Sequence, residues 1–311
     1  MKSLPFKTIP IVLLAFSVLL LSSCGKKDEE PAGSSEVVIP DSPDAAVKTV
    51  ITEFSNGNGG IAWKALPASY QSDIRQLVHR FGSSADEEVY NKSFSLFSHL
   101  TNVIDQQKYF IANSSLIKDQ SPENSAQLEA ALPSIIGLMN AIASSELSSI
   151  EGLLNFNGES FFETTVSECV KHLEAIGKLT GEETVLGDYA SVEVSLVSKN
   201  EDQAVLSIVV PGQAAEEIAF AKVENRWVPV EMENNWQATM KKMKDSIREI
   251  PAENYEAQKT QILGVLTMLD GMLTNIESAE TQEQFDQSLK DSTMPLLSTL
   301  MMFRQTINGS D

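Results

Sequence analysis

Apolar spacing changes period twice along this chain, and no single kind of regular element accommodates both periods. From Pro43 to about residue 180, and again from Ala252, apolar residues recur every three or four positions, as in helices with one buried face. Between these stretches, over about 190–232, they alternate. Val192, Val194 and Leu196 fall on one side of Ala190–Ser198, and Leu206, Ile208 and Val210 on one side of Gln203–Val210. Turns at Lys199–Asp202, Pro211-Gly212 and Glu224-Asn225 then set off Glu216–Val223 and Arg226–Met232. The expected fold is α+β and predominantly helical: helices packed on a small four-strand antiparallel meander, with a C-terminal helical hairpin. Pro229 has no N–H to donate, which assigns the last strand to an edge or a bulge.

The helical pattern divides at its glycines and prolines. Pro43–Ser55 predicts a helix with Val47, Val50, Ile51 and Phe54 on one face, closed by Asn56-Gly57-Asn58-Gly59-Gly60. Ala62–Leu66 reads as a short turn, and Pro67 opens a helix with Tyr70, Ile74, Leu77, Val78 and Phe81 inward. Ser84-Ala85-Asp86-Glu87 has the S-x-x-E form of a capping box before a long helix. Ser121-Pro122 starts another, and Pro133 is expected to kink or divide it. Helices follow near Leu147–Leu154 and over Glu159–Leu179, the latter with Phe162, Val166, Cys169 and Leu173 on one side. Asn234 or Asn235 is expected to cap a helix through Ile250. In Ala252–Ser278, Ile262, Leu266, Leu269, Leu273 and Ile276 form a seam of two to three heptads. So short a seam favours packing within one chain over dimerisation, hence a monomer. Thr281-Gln282-Glu283-Gln284 reads as a second capping box. These boundaries predict an α+β domain over 43–250 and a helical hairpin over 251–311.

The N-terminus has a different character. Lys2 and Lys7 are the only charges before Cys24, and the apolar heart, Ile11–Leu21, is short for a membrane span of ~20 residues. Leu21-Ser22-Ser23-Cys24 resembles the lipobox of bacterial lipoproteins. That resemblance implies that residues 1–23 are a signal peptide cut before Cys24, and that the Cys24 sulfur carries a diacylglycerol. The other reading of these residues is an uncleaved N-terminal anchor with an incidental cysteine. Gly25 stands where some inner-membrane lipoproteins carry Asp, so the resemblance implies an outer-membrane anchor facing the periplasm. Residues 24–42 lack periodicity and read as a lipidated tether spanning roughly 20–25 Å.

The charge balance makes that lipid the evident source of membrane affinity. The formal net charge is −20, and loss of Lys2 and Lys7 takes it to −22. Such a surface repels phosphates and anionic headgroups, which excludes nucleic acid as an expected partner. Two or three acyl chains, at ~0.8 kcal/mol per buried methylene, hold a protein without help from its surface. With Cys24 acylated, the second of the two cysteines, Cys169, has no partner in the chain and is expected to be buried as a small hydrophobe.

A second resemblance covers about 25 residues. Ser42–Phe54, then Gly57 and Asn58, then Ala62-Trp63-Lys64-Ala65-Leu66-Pro67, are similar to the opening of nuclear-transport-factor-like, or cystatin-like, α+β rolls. About 120 mostly helical residues separate this stretch from the meander, so the resemblance implies an embellished roll. That fold hosts enzymes and binders alike and does not fix function.

Motifs for chemistry are sparse. G-x-S-x-G, H-E-x-x-H and the phosphate-binding G-x-x-x-x-G-K-[ST] do not occur. Cys169 and His172 have a spacing two metal ligands could use, but two ligands make half a site, so no metal is expected. Ser115-Leu116-Ile117-Lys118 matches S-x-x-K without the K-T-G or S-D-N that accompany it in penicillin-recognising enzymes. The Gly57–Gly60 loop follows a helix rather than a strand, which argues against phosphate binding. No catalytic residue and no cofactor is expected. Trp63, Trp227 and Trp236 fall at element junctions. Trp227 and Trp236 flank the last strand, where they close the core or line a concavity that takes a ligand. The expected role is non-catalytic binding or scaffolding at the cell envelope, with an unidentified envelope protein or ligand as partner. The alternative is a lipid-anchored enzyme whose active site has no recognisable motif.

Overall fold

The computed structural model describes residues 37–115, 122–180, 186–247 and 252–292. Cys24, the expected signal peptide, most of the tether and Lys118 lie outside them. The fold is predominantly helical α+β with one four-strand antiparallel sheet and a C-terminal helical pair. The chain falls into two compact units, one of residues up to 85 with 141–249, the other of 86–140 with the residues from 250. The sequence reading placed a boundary at 250. Residues 86–140 group instead with the C-terminal helices, because the partner of the long 252–277 helix is the helix that starts at 87.

In the first unit, α1 (Pro43–Ser55), α2 (Gly60–Lys64) and α3 (Ala68–Ser84) precede a sheet of order β1-β2-β3-β4: Glu193–Lys199, Gln203–Val209, Glu216–Val223 and Arg226–Pro229. The strands form a plain meander, with β4 at an edge as Pro229 requires. Residues directly opposite in antiparallel strands share a face. Leu206 pairs with Ile218, Ala204 with Phe220, and Lys222 with Trp227. That face holds a core of Leu206, Ile208, Val210, Phe220 and Trp227, closed by Ala46 and Val47 of α1. On the other face Val228 joins Tyr70, Leu77, Trp236 and Met240. Leu196 is 45% exposed rather than inward, because β1 is an edge strand whose register shifts between Leu196 and Ser198.

Several element ends differ from the sequence reading. Ala62–Leu66 is not a bare turn; α2 covers most of it. The last helix of this unit, α10 in chain order (Val230–Ser246), starts directly after Pro229, four or five residues before the expected Asn cap. Glu231 and Glu233 stand in its first turn, where carboxylates favour the positive end of the helix dipole.

The glycine loop has a structural explanation. After α7 (Ile150–Leu154), α8 (Gly158–Phe161) runs into a π-helical turn, Phe162–Val166, and then α9 (Ser167–Thr180). A Cβ on Gly59 would lie 2.6 Å from the Phe162 carbonyl oxygen and 2.7 Å from the Ser167 nitrogen. Instead, the Gly59 N–H donates to Ser167 Oγ at 2.9 Å. The π turn adds a residue to the spiral and shifts the buried stripe. Phe162, Val166, Cys169 and Val170 are buried, and Leu173, expected on the same side, is 41% exposed.

The second unit contains α4 (Glu87–Gln106), α5 (Lys108–Asn113), most of α6 (Pro122–Ala143), α11 (Ala252–Glu277) and α12 over 282–292. Asp86, not Ser84, caps α4: its carboxylate accepts the Val89 N–H at 2.9 Å, and Ser84 is the last residue of α3. Pro133 lies within α6 without dividing it. By length and composition alone, Ser125–Ala143 in α6 is long and apolar enough to cross a membrane. Thr281 Oγ1 accepts from the Gln284 N–H at 3.3 Å, and Gln284 reaches back to the Glu280 N–H at 2.8 Å, one residue before the position a capping box requires.

Candidate ligand pocket

Between α1, α2 and the edge of the sheet lies an apolar cavity of about 140 Å³. Its wall comes from Ala46, Val47, Val50 and Ile51 of α1, from Ala62 with Ala65 and Leu66 at α2, and from Ile208, Ile218, Phe220 and Trp227 of the sheet. Ile39, Arg226, Val228, Pro229 and Met232 complete it. Three of its helix-side wall residues, Ala46, Ala62 and Ala65, carry only a methyl side chain. Arg226 is the only ionisable residue in the wall, and no wall residue carries a hydroxyl, thiol, imidazole or carboxyl group.

Trp227 is the wall residue that the sequence reading singled out. It is buried, and its indole N–H donates to the Asp41 carbonyl oxygen at 2.9 Å. With that polar atom satisfied, the ring can face the cavity as carbon surface. Two ammonium groups lie over it: Lys199 Nζ at 5.6 Å from the ring centroid and Lys222 Nζ at 5.9 Å. Strand parity places Lys222 opposite Trp227, and the β1 register shift pairs Lys199 with Ala204 on the same face.

Trp236 does not line the cavity. It lies in α10 and stacks on Tyr70, with centroids 3.9 Å apart and planes 7° from parallel, and its N–H donates to Asp73 Oδ2 at 3.0 Å. The reason is alternation: Trp227 and Val228 point to opposite sides of β4, and Trp236 packs with Val228. Trp63 also serves packing, 5.3 Å from Phe162 and directly over Gly158. Cys169 is buried as expected, and burial, with Glu168 nearby, pushes its thiol up to about 11, so it is an inert packing group rather than a nucleophile. No group of three or more His, Cys, Asp or Glu suited to a metal ion occurs among the described residues, Cys169 and His172 included.

The second unit has its own polar cluster, which sequence reasoning did not find. His99 of α4 lies between two carboxylates of α11: Nδ1 is 2.8 Å from Asp270 Oδ1 and Nε2 is 3.3 Å from Glu277 Oε2. Lys92 approaches Asp270 at 3.8 Å. The Asp270 hydrogen bond, opposed by burial and aided by Glu277, raises the His99 pKa. Both ring nitrogens are engaged, which leaves neither free to accept a substrate proton, so the cluster fastens helices rather than forming a general base. At the N-terminus of α4, Asp86 accepts from the Tyr255 hydroxyl and the Val89 amide and pairs with Lys259 at 3.1 Å; these contacts hold its carboxyl down at about 2. Lys259 also meets Glu88 at 2.8 Å. Spacing along α11 carries a signal for this cluster only after α4 is known to be its partner.

No protein-family model, no curated protein and no solved structure matches the chain.

Proposed function

We propose that this chain is a lipid-anchored protein of the bacterial cell envelope, held by a diacylglycerol on Cys24, whose first unit binds an apolar ligand without chemical conversion. The observation that carries the binding part is the composition of the cavity wall. Fifteen of its sixteen residues are apolar and the sixteenth is Arg226, so it has nowhere to seat a nucleophile or a general acid–base pair. A cavity of 140 Å³ is close to the ~150 Å³ of apolar protein cavities that stay dry and take up benzene. The anchor rests on the lipobox resemblance and on the acidic surface, which offers membranes no attraction of its own.

Each part has its own test. Growth with an alkyne palmitate labels the wild-type chain and leaves Cys24→Ser unlabelled; retained label on the variant overturns the anchor. Benzene at saturation raises the unfolding midpoint of the mature chain, residues 24–311 with Cys24→Ser; an unchanged midpoint overturns the pocket as a binding site.

A further inference from the structure

Ile39 differs from every other residue of the cavity wall in what holds it. The others lie in α1, in α2 and the hydrogen-bonded turn after it, in α10 or in the strands. Ile39 lies in residues 37–42, a segment that is neither helix nor strand. Among the described residues, no backbone–backbone hydrogen bond involves residues 37–41. We propose that this segment is a strap that gates the cavity, with Ile39 as its plug and the hydrogen bond from Trp227 to Asp41 as its latch. This inference rests on the cavity being a binding site.

Three observations support it. The strap has an inner and an outer side: Ile39 packs against the sheet core and lines the cavity, whereas Val38 is 78% exposed and Pro40 is exposed. Alternation along an extended segment turns one side chain inward and its neighbours out. The downstream end of the strap is fixed, because Pro43, the first residue of α1, is buried. Between that end and Ile39, the strap is tied to the sheet by the Trp227 indole N–H, which donates to the Asp41 carbonyl oxygen at 2.9 Å.

The weakness of these ties makes the strap the part of the wall that opens. Lifting it parts one hydrogen bond, and water then satisfies the indole N–H and the carbonyl so released. It also uncovers one half-buried isoleucine. Displacing α1 or a strand would break a helix or a ladder instead. Segments with few buried contacts open locally far more often than the elements around them. The strap is also the end of the stretch, residues 24–42, that joins Cys24 to the first unit, so the gate and the proposed anchor share one piece of chain.

Exchange of fluorobenzene with the mature chain, residues 24–311 with Cys24→Ser, followed by fluorine NMR, tests the gate through the association rate constant. Pro40→Gly frees the strap backbone and leaves every wall side chain in place, since Pro40 is no wall residue. It is expected to raise the association rate about two- to fivefold. Ile39→Ala is expected to raise it at least as much, and Val38→Ser to leave it unchanged. Hydrogen exchange of the Trp227 indole N–H should quicken in Pro40→Gly by a similar factor, which reads the opening of the latch directly. An association rate in Pro40→Gly equal to that of the wild type, even with weaker binding by Ile39→Ala, makes Ile39 plain wall and overturns the gate while leaving the pocket in place. Absence of fluorobenzene binding to the wild-type chain overturns the pocket together with it.

Discussion

Replacing Ala46 by leucine converts the cavity into a sign test. Ala46 is 3% exposed, lies on α1 and forms part of the cavity wall. Leucine adds three carbons, roughly 90 Å³ at the ~30 Å³ of a water-sized group. That is less than the 140 Å³ present. Burying three carbons contributes about 2.4 kcal/mol at ~0.8 kcal/mol each. Ordering the leucine side chain takes back ~0.5–1 kcal/mol. The expected net gain is about 1.5 kcal/mol, or roughly 3–6 °C in midpoint for a unit of this size. In a filled core the same change costs ~1–3 kcal/mol by overpacking, so the alternatives differ in sign. All three tryptophans, Trp63, Trp227 and Trp236, belong to the first unit, so tryptophan fluorescence in urea follows that unit alone. Benzene should no longer stabilise the variant. Ala46→Leu with a lowered midpoint and an undiminished response to benzene would refute the reasoning.

Other predictions follow from single contacts. Gly59→Ala sets a Cβ against backbone atoms on two sides, Phe162 O and Ser167 N, and is expected to lower stability by ~2 kcal/mol or more in urea unfolding. Because the folded-state His99 pKa is raised, the stabilisation it gives is fully present below its unfolded value of ~6.5 and fades as pH rises through the folded value. Hydrogen exchange along α11 should therefore quicken from pH 6 to pH 9 beyond its intrinsic pH dependence, and His99→Gln should abolish that excess. The depressed Asp86 carboxyl works in the other direction: its contribution is present above pH ~4 and is lost as pH falls through about 2. Asp86→Ala removes the α4 cap and is expected to cost ~1–2 kcal/mol, measured by circular dichroism in urea.

Legibility in the sequence followed the length scale of each interaction. Periodicity alone located α1, β3 and the meander, because one buried face sets spacing within a single element. Lys222 shares parity with Ile218 and Phe220, so its position on the core face was readable once β3 was placed. Lys199 was not, since the register shift between Leu196 and Ser198 returns it to that face, and no residue pattern marks the shift. The start of α10 was misplaced because Val228 and Val230 extend an alternating pattern through Pro229 into the helix. The π turn escaped notice because it adds one residue inside a continuous helical pattern, and the Gly59 contact beside it joins residues 108 apart in the chain. The cavity is walled by residues of α1, of α2 and the turn after it, and of the sheet, and spacing within one element cannot express a void between elements. The His99 cluster likewise depends on α4 meeting α11.

The most direct measurement of the central claim is quenching of Trp227 by a heavy-atom ligand. In Trp63→Phe/Trp236→Phe, Trp227 is the sole indole, and bromobenzene carries a heavy-atom quencher on a ring of about the size the cavity fits. The account predicts saturable quenching of Trp227 fluorescence that benzene reverses and Ala46→Leu eliminates. Quenching that rises linearly with concentration, ignores benzene and persists in Ala46→Leu would contradict it.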